Sequence, residues 1–271
     1  MRPDNRPIGL FDSGIGGFTV LNRLKQALPS ESFIYVADNA HKPFGDKSHS
    51  QILRINDSII TYLLSQEVKL IVIACNTSSA IALKHDKRLY PVPFVDMLLD
   101  GLWFAQILGP RTKVGVIATK ATVQSNAYEK TLLQYNPHIE VSQTACPRLV
   151  PLIEQYAFAE KQTTTRSPEL DDAIDEYTLP FKDHDVLILG CSHYPHIQKN
   201  IESTLPCIRV IDPAEYVAKR VKEHVEIMGF STLKPSSRFC FTATEATLEA
   251  NAKRLGFDHF EKIHLGTVSN A

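Results

Sequence analysis

The chain has 271 residues, 44% of them apolar and 22% charged, enough to bury the core of one large domain or two ordinary ones. With 29 Lys and Arg against 30 Asp and Glu the formal net charge is -1, and no basic stripe marks a nucleic acid or an anionic membrane surface as a partner. No apolar run approaches the ~18 to 20 residues of a membrane span, and Met1-Arg2-Pro3-Asp4-Asn5 leads straight into an apolar run, so no signal peptide is expected.

The first short apolar run, residues 8–11, reads as a strand and is followed by Asp12-Ser13-Gly14-Ile15-Gly16-Gly17. This hexapeptide lacks the first glycine of G-x-G-x-x-G, and no Gly-Lys-Ser/Thr follows it, so a nucleotide is disfavoured. Its glycines leave backbone N–H groups free at a helix start, which suits a small carboxylate. Ser13 can donate and Asp12 can accept, a combination fit for the ammonium and carboxylate of one ligand. A plain tight turn with Asp12 as helix N-cap would use the same residues.

A second strand is expected at 33–36, followed by Asp38 and then by Lys42-Pro43-Phe44-Gly45, a rigid turn whose backbone can face a ligand. Asp38 either supports a catalytic group or is a turn residue. Residues 51–65 carry apolar side chains at helical spacing, namely Ile52, Ile55, Ile59, Ile60, Leu63 and Leu64. The third strand, 70–73, leads to Cys75-Asn76-Thr77, with a helix able to begin within 78–89. A free cysteine is usually a small buried hydrophobe, but N–H groups at a helix start would lower the thiol pKa of Cys75 and make it a usable base.

The fourth strand, 114–117, ends in Thr119-Lys120-Ala121-Thr122, and the fifth, 186–189, in Cys191-Ser192-His193. Cys191 and His193 supply only two metal ligands, too few for a site. A sixth strand at 208–211 precedes a helical stripe of Val217, Val221, Val225 and Met228 over 214–228. All six strands read as nearly continuous apolar runs, as expected of strands buried on both faces. Alternation with helices predicts an α/β fold of mostly parallel sheets, whose ligand crevice lies beyond the carboxyl ends of the strands. The order repeats: Thr119 lies 107 residues after Asp12, and Cys191 lies 116 after Cys75. A diverged duplication would place two equivalent strand ends, each with a cysteine, across one cleft. The five cysteines include no C-x-x-C pair, and Cys146, Cys207 and Cys240 read as structural fillers.

The blocks Phe11-Asp-Ser-Gly-Ile-Gly-Gly17, Tyr35-Val-Ala-Asp38 with Lys42-Pro-Phe-Gly45, Ala74-Cys-Asn-Thr77, Gly115-Val-Ile-Ala-Thr119 with Ala121-Thr-Val-Gln-Ser125, Cys146-Pro with Val150-Pro-Leu-Ile-Glu154, and Leu189-Gly-Cys-Ser-His-Tyr-Pro195 occur in that order. Together with Ile211-Asp212 they resemble the glutamate racemase family of the aspartate/glutamate racemase superfamily, over residues 8 to 213. Phe44 stands where the family usually has Tyr, Ser192 where Thr is commoner, and Ala118 where Gly is commoner. Residues 158–177 match nothing specific in the family.

The resemblance implies two pseudo-symmetric α/β domains, here residues 1–98 with 211–271 and residues 99–210, with the active site between them. It implies cofactor-independent, metal-independent racemisation by two bases: Cys75 deprotonating the D-isomer and Cys191 the L-isomer, assisted by Asp12 and His193. Ser13, Asn76, Thr77, Thr119, Thr122, Ser192 and His193, with the backbone of Phe44 and Gly45 and with Asp12, would hold the substrate. Asp38 and Glu154 would stand behind the catalytic groups. The product, D-glutamate for peptidoglycan precursors, implies a bacterial cytoplasm; a homodimer is compatible with the family. Three rivals stay open at this point. One is an aspartate racemase or another superfamily member, one a catalytically silent amino-acid-binding protein, and one a redox dithiol pair. The last needs Cα atoms within ~7 Å.

Overall fold

Every strand pairing among the described residues is parallel. The computed structural model describes residues 2–82, 90–98, 108–157, 167–257 and 259–265. Its strands are β1 (Ile8–Asp12), β2 (Phe33–Ala37), β3 (Leu70–Ile73), β4 (Phe94–Asp96), β5 (Lys113–Ala118), β6 (Glu140–Ala145), β7 (Val186–Gly190), β8 (Arg209–Ile211), β9 (Arg238–Phe241) and β10 (His259–Lys262). They form a six-stranded sheet ordered β10-β9-β2-β1-β3-β4 and a four-stranded sheet ordered β6-β5-β7-β8.

The internal repeat expected from the spacing of Asp12, Cys75, Thr119 and Cys191 reappears as topology. In one sheet β1 lies between β2 and β3 with β4 outside; in the other β5 lies between β6 and β7 with β8 outside. Thus β1 corresponds to β5 and β3 to β7. The six-stranded sheet draws strands from both ends of the chain, whereas the four-stranded sheet uses only strands between Lys113 and Ile211.

The central strands β1, β2, β3 and β7 are buried throughout, which explains their unbroken apolar runs. β8 departs from that expectation. It is an edge strand whose first residue, Arg209, is exposed, whereas Val210 and Ile211 pack inward on opposite faces. The helix His49–Ser65 opens on a capping box between Ser48 and Gln51, and Ile52, Ile59, Ile60 and Leu63 are its buried apolar face. The helix Pro213–Met228 is capped by Asp212, which accepts from the Ala214 amide at 2.9 Å, and buries Val217, Val221 and Val225. One apolar cluster joins Leu10, Tyr35 and Val72 of the first sheet to Ile117, Leu187 and Leu189 of the second. The helix expected within 78–89 starts earlier, as Asn76–Ala82; residues 83–89 lie outside the described residues, as do 99–107, just past the expected crossing near 98. Of the unmatched stretch 158–177, residues 158–166 are likewise outside, and the helix Pro168–Thr178 covers the remainder.

At the amino end of β3, Lys69 and Glu31 form an ion pair at 2.7 Å with both side chains fully buried. Lys69 also donates to the Asp4 carbonyl at 2.8 Å, and Glu31 accepts from the Ser231 amide at 2.9 Å, so four chain segments meet here. Lys69→Met would strand a buried carboxylate. A loss of about 3–5 kcal/mol in urea unfolding is expected. A second change, Glu31→Leu, should recover part of that loss; additive losses would show that the pair does not act as a unit.

Candidate active site

The carboxyl ends of the two sheets face a cavity of about 280 Å³. From the six-stranded side it is lined by Ser13, Lys42, Phe44, Gly45, Cys75, Asn76 and Thr77, and from the four-stranded side by Thr119, Cys146, Glu154, Cys191, Ser192 and His193. Cys75 follows β3 and Cys191 follows β7, so topologically equivalent strands each deliver one thiol. Both are free cysteines and buried.

Asp12 is wholly buried and stands one step behind the lining. Its Oδ1 accepts from the Gly14 amide at 2.9 Å and its Oδ2 from the Ser192 hydroxyl at 2.9 Å. It is not the helix N-cap, as the plain turn reading would have it; Gly17 occupies that position for the helix Phe18–Ala27. Thr122 is also one layer back, and its hydroxyl meets Thr77 at 3.3 Å and Thr119 at 2.9 Å, while Thr77 and Thr119 meet at 2.9 Å. This triangle of hydroxyls ties the two strand ends together. Asn76 donates through Nδ2 to the Tyr128 hydroxyl at 2.7 Å, and its buried Oδ1 accepts from no described residue.

Asp38 falls outside the cavity lining. It contacts His41 Nδ1 at 2.8 Å and accepts from the Thr242 hydroxyl at 2.8 Å, which are the contacts of a turn residue joining the ends of β2 and β9. Glu154, expected behind the catalytic groups, instead lines the cavity, with Oε1 3.1 Å from His193 Nε2. Cys146, read as filler, lines it too, because the end of β6 turns inward there; Cys207 is exposed and Cys240 is buried elsewhere.

The two thiols have different electrostatic surroundings. Burial and the nearby Asp12 carboxylate push the Cys75 thiol up to about 12, with hydrogen bonds at Ser78 only partly opposing them. This corrects the expectation that a helix start lowers it: desolvation outweighs the few N–H groups of a seven-residue helix. On the other side, His193 Nδ1 lies 3.8 Å from the Cys191 sulfur. Burial alone would lower the imidazole pKa, but Cys191 and Glu154 raise it to about 10, so His193 is a cation at neutral pH. Glu154 is held below the usual carboxylate range: burial opposes this, but His193 and Lys42 prevail. Burial and the His193 charge push His196 down to about 4. The cavity thus holds a protonated thiol at Cys75 and a cation beside the sulfur of Cys191.

Among the described residues no group of three or more His, Cys, Asp or Glu is arranged to hold a metal ion. Sequence reasoning missed Lys42, Cys146 and Tyr128 as parts of this site. The first two belong to recognised blocks without having been given a role, but nothing local in the sequence marks Tyr128, which reaches Asn76 from another element.

The class of the protein follows from residues 15–221, which match the Asp/Glu/hydantoin racemase family; the chain belongs to that family. Within it the chain is similar to glutamate racemases. It is 44% identical over 269 residues to the glutamate racemase of Carboxydothermus hydrogenoformans, covering 96% of this chain and 97% of the relative. The glutamate racemase of Francisella tularensis, solved in complex with D-glutamate, superposes with a TM-score of 0.85 at 34% identity, covering 96% of this chain and 98% of that one. A glutamate racemase isoform from Bacillus anthracis gives a TM-score of 0.86 at 30% identity, with coverages of 96% and 98%.

Proposed function

We propose that this protein interconverts L- and D-glutamate by a two-base reaction without a cofactor, supplying D-glutamate for peptidoglycan in a bacterial cytoplasm. The observation that carries the reading is the pair of buried thiols, one behind each of two equivalent strands, opening on one small cavity. On this reading the two sheets are the centres of two domains, 1–98 with 211–271 and 99–210, and a homodimer is compatible with it. No helix of the described residues is long and apolar enough to cross a membrane.

In the L-to-D direction the Cys191 thiolate, paired with the His193 imidazolium, takes the Cα proton. The Cys75 thiol gives its own proton to the opposite face of Cα. The pair ends with a Cys191 thiol and a Cys75 thiolate, and the D-to-L direction reverses each transfer. Burial in a low-dielectric cavity strengthens every such charge interaction. Ser13, Thr77, Thr119 and Ser192, with the backbone N–H groups of Phe44 and Gly45, supply donors for the two substrate carboxylates, and Asn76 lines the cavity beside them.

The optical rotation of L-glutamate, D-glutamate and both aspartates, followed with purified protein and no added cofactor, tests the reading. Both glutamate isomers should decay to the same racemic end point. Racemisation of aspartate alone would overturn the substrate, and no activity on any of the four would favour a silent amino-acid-binding protein.

The pH dependence has a defined sign. With L-glutamate the reactive form needs a thiolate at Cys191, which sets the acid limb, and the His193 imidazolium and Cys75 thiol, which must both keep their protons. His193 loses its proton first as pH rises through about 10, ahead of the thiol at about 12. A bell-shaped kcat/KM is expected, with an alkaline limb near pH 10 that belongs to the coupled site as a whole. The folded pKa of His193 lies above its ordinary value of 6.5, so its stabilising contribution is complete below that value and lost as pH rises through about 10. A flat alkaline plateau past pH 11 would exclude this charge assignment.

A further inference from the structure

The Lys42 ammonium is shared between two carboxylates at the rim of the cavity. It donates to Glu245 Oε1 at 2.9 Å and lies 3.7 Å from Glu154 Oε2. Lys42 and Glu245 follow β2 and β9 of the six-stranded sheet, whereas Glu154 is on the helix Leu149–Ala157 of the other half. Glu245 is itself fixed by Asn39, whose Nδ2 donates to Glu245 Oε2 at 3.2 Å and to the Ala243 carbonyl at 2.6 Å. Glu154 uses its other oxygen, Oε1, on His193, which faces Cys191. The side chains of Lys42, Glu154 and Glu245 are each close to one-third exposed, so water competes for Glu154, and its two cationic contacts, His193 on Oε1 and Lys42 on Oε2, hold it at the rim.

We propose that Lys42 is a positioning residue for the reaction: anchored by Glu245 on one side of the rim, it holds the Glu154 carboxylate turned onto His193. The proposal rests on the racemase reading for its consequence, but not for its geometry. Lys42 touches neither thiol in this arrangement and acts through Glu154. The charged and titratable groups involved are Glu154 and Glu245 around Lys42, His193 and Lys42 around Glu154, and Cys191, Glu154, Asp12 and His196 around His193. Without the ammonium, the Glu154 carboxylate loses one of its two cations and takes up a proton more readily. Once neutral, it no longer supports the imidazolium, so activity should fail first on the acid side.

The test compares Lys42→Met, Lys42→Arg and Glu245→Gln by two measurements. Carbon-13 NMR of side-chain carboxyls follows the titration of Glu154 directly. In Lys42→Met it should move up by at least about half a unit, a threefold change in ionisation constant. In Lys42→Arg it should stay near the wild-type position, because the charge is kept. Glu245→Gln removes the anchor and should raise that titration by part of the Lys42→Met shift. The second measurement is kcat/KM against pH with glutamate. The acid limb of Lys42→Met should shift upward with the NMR titration, and Arg should restore it. An unmoved Glu154 titration in Lys42→Met, or an equal loss of activity at every pH, would overturn the proposal. The NMR titration needs no turnover, so a wild-type enzyme inactive on glutamate would fail the racemase reading and leave the contact still decided.

Discussion

Replacing either Cys75 or Cys191 by Ala is expected to abolish racemisation in both directions, by at least about a thousandfold. Every turnover needs one sulfur to remove the Cα proton and the other to return one, so neither direction can proceed with a single thiol. The double variant should then be hardly worse than each single one, because the pair acts as a unit. Both residues are buried and both follow fully buried strands, so a thermal melt must accompany the assay to show that each variant is folded. Isotope exchange separates the mechanisms further. In D₂O, D-glutamate formed from L-glutamate should carry solvent deuterium at Cα, while unreacted L-glutamate stays protiated early on. A shielded thiol returns its own proton to the face it came from, whereas the opposite thiol delivers one derived from solvent. Early deuterium in the residual substrate, or substantial turnover by Cys75→Ala, would point to a single base and discard the two-thiol assignment.

The parts of this molecule that the sequence makes legible are those buried on both faces. β1, β2, β3, β5 and β7 announce themselves because a parallel strand covered on both sides admits few polar residues. Of the strands at or near sheet edges, β8 does, and β4, β6, β9 and β10 do not. β6 reads Glu-Val-Ser-Gln-Thr-Ala because one of its edges is open, and β10 reads His-Phe-Glu-Lys for the same reason. β4 is three residues long and follows Pro91 and Pro93, too short for any period to register. A similar limit applies to the site. Residues at the tips of central strands, such as Cys75, Asn76, Thr119 and Cys191, could be placed because chain direction alone carries them to the crevice. The layer behind them could not. That Asp12 reaches Ser192, or that Lys42 lies between Glu154 and Glu245, depends on how two halves of the chain approach each other. Local spacing holds no record of that approach. Asp38 illustrates the converse: it lies beyond a strand end, as a site residue should, yet β9 is beside β2 and takes it up in a turn.

The approach of the two halves also sets the second large effect, which is expected from a single methyl group. A Cβ built at Gly16 would lie 2.5 Å from His193 Nδ1 and 2.6 Å from its Cε1, far inside contact distance. The imidazole has no room to retreat, since Glu154 holds Nε2 at 3.1 Å and the ring is buried. Ser192 beside it is fixed as well: its hydroxyl is bound to Asp12, and its carbonyl accepts from the Thr19 hydroxyl at 3.1 Å. Gly16→Ala must therefore displace the ring by something on the order of an ångström, and a misplacement of that size costs about a hundredfold in rate. The loss should fall on kcat, because His193 supports a base, and the alkaline limb of the pH profile should shift downward as the imidazolium loses its partners. Gly14→Ala is the control in the same loop. A Cβ there would meet only the Lys42 Cδ at 3.9 Å, ordinary contact, so activity should stay near the wild-type level. Equal losses in the two variants would mean that the loop needs glycine for its backbone. A fully active Gly16→Ala enzyme with an unchanged pH profile would show that the Gly16 contact does not hold the His193 ring in place.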